Sequence, residues 1–238
     1  MKTFAELFDT ILTADKDSSR KAAREIRKLV YSSRDGGKYK DITSIIENAP
    51  VEYVKIVEDW RQENFVMAIS VMYFLHSREN QPNFLFPWLF KLLQYENGNI
   101  RHAAVRMFGN ELGPLTYHIR FPGKKSSFRE LSPGLADRIL FGLFANLNNL
   151  AIALWKPAYK KYKYISTLPH GPYKSVQMVL SSLEDGCGKE HMARLEQYLQ
   201  EFFQWKSKLP KDNPAGKQAS DGAGKLPTEQ SLRGILST

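Results

Sequence analysis

Residues able to do chemistry are sparse in this chain, and their spacing limits what they can do. Five histidines stand at His76, His102, His118, His170 and His191, none of them four residues from another. A helix presents two ligands to one metal ion at that interval, and neither His-Glu-x-x-His nor Cys-x-x-Cys occurs. The pattern therefore predicts no metal and no cofactor. The one cysteine, Cys187, lies in Asp185-Gly186-Cys187-Gly188-Lys189, which reads as a flexible turn between helices. A nucleophilic thiol needs a lowered pKa and a base beside it. Lys189 and His191 are the near candidates, and an inert loop thiol is the expectation. Asp35-Gly36-Gly37-Lys38 is too short for a phosphate-cradling loop and lacks the following Lys-Ser/Thr. Gly-x-Ser-x-Gly is absent as well. The motifs lean away from an enzyme.

Cations interleaved with aromatic rings are the stronger signal. The formal charge is +9 over 238 residues, and it is unevenly spread. From His118 to Lys174, ten Lys and Arg residues face only Glu130 and Asp137. Trp155-Lys156-Pro157-Ala158-Tyr159-Lys160-Lys161-Tyr162-Lys163-Tyr164 alternates rings that stack with ammonium groups that neutralise phosphates. His118-Ile119-Arg120-Phe121-Pro122-Gly123-Lys124-Lys125 is a second such cluster, on a loop. The candidate polyanion-binding residues are Arg120, Lys124, Lys125, Lys156, Tyr159, Lys160, Lys161, Tyr162, Lys163, Tyr164 and Lys174. The two loops are expected to line one basic face. The bland alternative is a solvated surface whose lysine stems cover apolar neighbours.

Helical spacing recurs throughout, with no sustained alternation to suggest strands. Phe4, Leu7, Phe8, Ile11 and Leu12 form one stripe. A second helix follows a cap at Ser18 or Ser19 and stops at Asp35-Gly36-Gly37. Further helices are predicted over Tyr39–Glu47, ending before Pro50, and over Val51–Trp60, Glu63–His76, Pro82–Tyr95 and Asn99–Leu112, the last closed by Gly113-Pro114. Leu115–Leu131 is poor in helix signals. Ser132-Pro133 opens a long helix to about Trp155. Lys156–Gly171 reads as irregular, and Tyr173–Leu183 and Lys189–Trp205 as the last two helices. Trp60, Trp88 and Trp155 are expected in the core. Residues 206–238 carry Pro210, Pro214, Gly216, Gly222, Gly224 and Pro227 with few large apolar side chains, which reads as a disordered tail. Its end, Ser231 to Leu236, is an unstructured terminus or a weak docking peptide.

Arg20-Lys21-Ala22-Ala23 recurs as Arg101-His102-Ala103-Ala104, about two helical-pair repeats later. Asn97, Ile100, Arg101 and Ala104 stand at the positions of the Asp-x-x-Val-Arg-x-x-Ala pattern, with Arg20 and Ala23 matching its last two. On these residues the segment from Phe4 to Leu112 resembles HEAT-repeat proteins. The resemblance implies an α-solenoid or irregular helical bundle, a single all-helical domain over 1–205 that is repeat-like over 1–113, with a basic half over 114–205. It also implies inter-repeat contacts for Arg20 and Arg101.

The first functional expectation is a non-enzymatic scaffold or adaptor that binds a protein partner. The alternative is a nucleic-acid-binding protein that uses the basic aromatic segment. Among HEAT-like proteins, the alkylpurine DNA glycosylases are similar in size and charge, and that likeness implies aromatics and an acid around a damaged base. The chain offers Asp59-Trp60 but no Trp-Trp-Asp-type cluster, so no catalytic residue is carried over. The acidic residue six positions into the chain and the absence of a cleavage-like site predict no signal peptide, and no apolar run reaches spanning length. A cytoplasmic protein is expected.

Overall fold

Phe4, Leu7, Phe8 and Ile11 are all buried, and they are the inner face of helix α1 (Phe4–Thr13). Thr3 starts it with a reciprocal cap: its Oγ1 accepts from the Glu6 amide at 3.2 Å, and the Glu6 carboxylate accepts from the Thr3 amide at 2.8 Å. The computed structural model describes residues 2–32, 42–75, 85–124 and 131–208. Along them follow α2 (Lys16–Ser32), α3 (Ile42–Lys55), α4 (Asp59–Met72) with a 3-10 turn at Tyr73–Leu75, and α5 (Phe86–Leu93). Then come α6 (Gly98–Leu115), α7 (Tyr117–Arg120), α8 (Pro133–Leu154), two 3-10 turns at Pro157–Lys161 and Ile165–Thr167, and α9 (Pro172–Lys208). Among the described residues there is no strand, so the fold is all-α. None of these helices is long and apolar enough to cross a membrane.

Helices α2, α4 and α6 pack side by side, and α6 continues the series onto α9. Polar side chains fix their register. Asn64 of α4 donates to Ser19 Oγ of α2 at 3.1 Å, and Ser19 in turn donates to the Ile11 carbonyl at the end of α1. From the adjacent position on α4, Glu63 accepts from the side-chain amides of Asn97 and Asn99 at the start of α6, at 2.6 and 2.8 Å. The three helices therefore run parallel, with α1 and α5 packed beside them. One hydrophobic cluster joins these layers from Phe4 to Leu195, with Phe8 edge-on to Phe65 and Phe86 stacked on Phe108.

Several boundaries differ from the sequence expectation. Pro50 does not end a helix. It sits inside α3, beside the buried stripe Ile42, Ile46 and Ala49, where the lost amide bond falls on the half-exposed side. The break comes instead at Ile56–Glu58, so Asp59 and Trp60 open α4. Pro114 likewise lies within the last turn of α6, and α7 occupies part of the stretch expected to be irregular. The turn expected around Cys187 is a kink inside α9, made by Gly188 at φ 73°, ψ 165°. Glycine alone adopts that conformation readily.

Neither matched arginine hydrogen-bonds across to a neighbouring helical pair among the described residues. Arg101 is buried and its guanidinium donates to the Tyr95 and Glu96 carbonyls, each at 2.6 Å, closing the end of α5. Arg20 is exposed. The equivalent work at the end of α1 is done by Ser19, which donates to the Ile11 carbonyl at 3.1 Å, and Arg61 of α4 joins it there at 3.0 Å. Trp88 is buried and Trp60 half-buried, whereas Trp155 is 42 % exposed and not in the core as expected. The tail beyond Lys208 lies outside the described residues.

Candidate functional site: the basic tip of α8 and α9

Ser132 caps α8, accepting from the Leu135 amide, and Pro133 fixes its first turn. The helix stops at Leu154 because Pro157 follows closely. The residue before a proline is pushed out of helical geometry, and Lys156 is extended at φ −129°, ψ 143°. The chain then turns back on itself. Tyr159 and Tyr162 amides bond the Lys156 and Tyr159 carbonyls at 2.9 and 3.0 Å, and Thr167 and Leu168 repeat the pattern onto Tyr164 and Ile165. Lys174, in the first turn of α9, donates to the Ser166 and Leu168 carbonyls at 2.7 and 3.0 Å. Tyr159 stacks on Tyr173 with centroids 4.7 Å apart.

These contacts divide the predicted residues into two groups. Lys174 and Tyr159 build the tip: the ammonium is committed to carbonyls and one ring face is covered. Lys156, Lys160, Lys161 and Lys163 are exposed, and none has a carboxylate partner among the described residues. From Arg138 to Leu183 the sequence contains no Asp or Glu at all. Three of the four lysines sit over rings, Lys160 on Trp155 at 5.8 Å, Lys161 on Tyr162 at 5.2 Å and Lys163 on Tyr164 at 5.4 Å. Trp155 and Tyr164 are 42 and 60 % exposed, so their rings meet solvent as well.

The second basic cluster does not join the first. His118 Nε2 bonds Asp137, one turn into α8, at 2.9 Å, and so holds α7 at the opposite end of that helix from Trp155. Eighteen residues of helix separate Asp137 from Trp155, about 27 Å. Arg120 is partly engaged there, donating to the Gly113 carbonyl at 2.9 Å, and both Arg120 and Lys124 lie near the Phe121 ring. Lys125 lies outside the described residues, as does His76.

That far end holds a group that sequence spacing does not reveal. Arg194 Nη2 donates to His191 Nδ1 at 3.2 Å, which leaves the His191 proton on Nε2, 3.4 Å from Asp137 Oδ1. That carboxylate oxygen hydrogen-bonds His118 and lies close to His191 Nε2, which has no hydrogen-bond partner among the described residues, and the two rings meet edge to face at 6.3 Å. Burial lowers the His191 pKa, with Arg194 and His118 adding to the effect and Asp137 opposing it. The imidazole is therefore neutral at pH 7. The cluster lines an open pocket of about 510 Å³ together with Cys187. Burial, then the Asp137 charge, pushes the Cys187 thiol up to about 11, so it is a packed thiol and not a poised nucleophile. No group of His, Cys, Asp and Glu among the described residues is arranged to hold a metal ion. The cluster ties α7, α8 and the second half of α9 together.

Asp59 and Trp60, the pair bearing on the glycosylase likeness, are also occupied. Asp59 accepts from the Tyr95 hydroxyl at 3.3 Å, and the Arg61 guanidinium lies over Trp60 at 4.5 Å. The chain matches no family model, no curated protein and no solved structure.

Proposed function

We propose that this protein is a non-enzymatic binding scaffold, a HEAT-like stack of helical hairpins, and that it engages a polyanion at the α8–α9 tip. The stack is supported by the parallel register of α2, α4 and α6, each preceded by a helix packed against it. Caps at Asp15 and Asn97, each followed four residues later by a side chain that closes the preceding helix, support it further. The observation that carries the binding reading is the set of four exposed, acid-free lysines on a folded tip. Their mutual repulsion is relieved when phosphates or sulfates approach.

Salt dependence tests the reading. Four lysines meeting four phosphates of a flexible chain give a slope of log affinity on log salt near −2.8. Binding of inorganic polyphosphate should therefore weaken about 50-fold between about 50 and 200 mM salt. Replacing Lys160, Lys161 and Lys163 by Ala should flatten the slope by about 2. Absent binding, or a slope unchanged in the variant, refutes it.

A further inference from the structure

We infer that the polyanion taken by the tip is single-stranded nucleic acid, with bases stacked on Trp155 and Tyr164 while the adjoining lysines hold its phosphates. The inference rests on the polyanion reading and names its ligand. Polyphosphate needs cations only, and would gain nothing from exposed rings. Here the two most exposed rings of the tip each carry an ammonium group at 5.4 to 5.8 Å, and Tyr162 repeats the pairing at 5.2 Å. Ring and cation are thus close enough together to meet one nucleotide. Stacking on such platforms tolerates any base, and backbone cations supply the rest of the affinity.

Duplex fits less well, because its bases are already stacked and turned away from a flat ring. An anionic membrane surface would use tryptophan, tyrosine and lysine too. Insertion there needs apolar groups ahead of the charge, whereas these ammonium groups lie against the rings and present both in one layer. The internal contacts assign separate jobs within the tip. Tyr159, covered by Tyr173, and Lys174, committed to two carbonyls, set its shape and leave Trp155 and Tyr164 to meet the ligand.

The test uses the full chain and four probes: a short oligothymidylate, an abasic deoxyribose-phosphate strand of equal length, inorganic polyphosphate, and phosphatidylserine vesicles. Oligothymidylate should bind most tightly. Trp155→Ala and Tyr164→Ala should each weaken it roughly five- to a hundred-fold, with abasic-strand and polyphosphate affinities unchanged. Trp155→Phe and Tyr164→Phe keep a stacking face and should restore most of the loss, which separates stacking from misfolding. Equal affinity for the abasic strand and oligothymidylate overturns the inference and leaves the polyanion reading standing. So does a preference for vesicles that is lost in the same ring variants. Failure to bind any of the probes overturns both.

Discussion

Replacing Arg101 by Ala removes two charge-assisted hydrogen bonds from a side chain that is 7 % exposed. Each such bond is worth about 1.5–3 kcal/mol. The two acceptors are not equivalent: Tyr95 is half-buried, whereas Glu96 is exposed and water can replace the lost donor at its carbonyl. Counting the first bond fully and the second in part gives a loss of about 2–4 kcal/mol. In a chain of this size that lowers the melting temperature by about 4–16 °C. Urea unfolding followed by circular dichroism would measure it, with an unchanged m-value as the sign that stability alone has moved. Arg101→Lys should recover part of the loss, because its ammonium keeps the charge but ends one bond short of the position from which Nη1 reaches both carbonyls. Arg20→Ala is the internal control. It stands in the same Arg-x-Ala-Ala context but is exposed, and should change stability by less than about 0.5 kcal/mol. If Arg101→Ala costs no more than Arg20→Ala, the guanidinium does not close α5.

The thiol of Cys187, raised to about 11, should be about one part in a thousand ionised at pH 8; a disulfide reagent should titrate it quickly in urea and slowly in the native protein, and fast native labelling would contradict its burial. His191 has its folded pKa depressed below the ordinary 6.5, so its neutral form stabilises the fold above that pH, and this contribution is lost as pH falls through the folded value. Urea midpoints measured from pH 7 to 5 should fall less steeply for His191→Gln than for the native chain, and parallel curves would rule the imidazole out. Gly188→Ala forces a side chain into a conformation reserved for glycine and should cost about 1–3 kcal/mol, while Gly109→Ala, in the body of α6 with no atom near its missing Cβ, should gain about 0.5–1 kcal/mol. A thermal melt of both variants checks the pair, and equal shifts would refute the assignment.

The elements that read correctly from sequence are those whose signals are local. A Ser-Pro start and a proline beyond the end bracket α8, and the Phe4–Ile11 stripe sets the buried face of α1. Proline inside α3 misleads because the cost of its missing amide depends on which side of the helix it faces, and only packing decides that. Two glycines flanking Cys187 predict a loop, yet one residue with positive φ, Gly188, suffices to redirect α9. At the tip, charge and ring alternation point to the segment, but not to the division of labour within it. Lys174 and Lys160 are indistinguishable as letters, and the carbonyls that occupy Lys174 come from a turn six to eight residues earlier. The His118–Asp137–His191 group had no local signature at all. Its members come from three helices, and a search at i, i+4 spacing passes over them.

The tip is folded before anything meets it. Fixing a backbone residue costs about 1–2 kcal/mol, so a disordered ten-residue segment that ordered on contact would surrender about 10–20 kcal/mol of its binding energy. From Trp155 to Tyr164 that entropy is already spent on turn bonds and the Tyr159–Tyr173 stack, and the Lys174 clamp holds the turn that follows. Association at this surface is then a meeting of preformed shapes, with only lysine and ring rotamers left to settle. The heat-capacity change should be correspondingly small, that of a modest interface and not of a segment folding on its target.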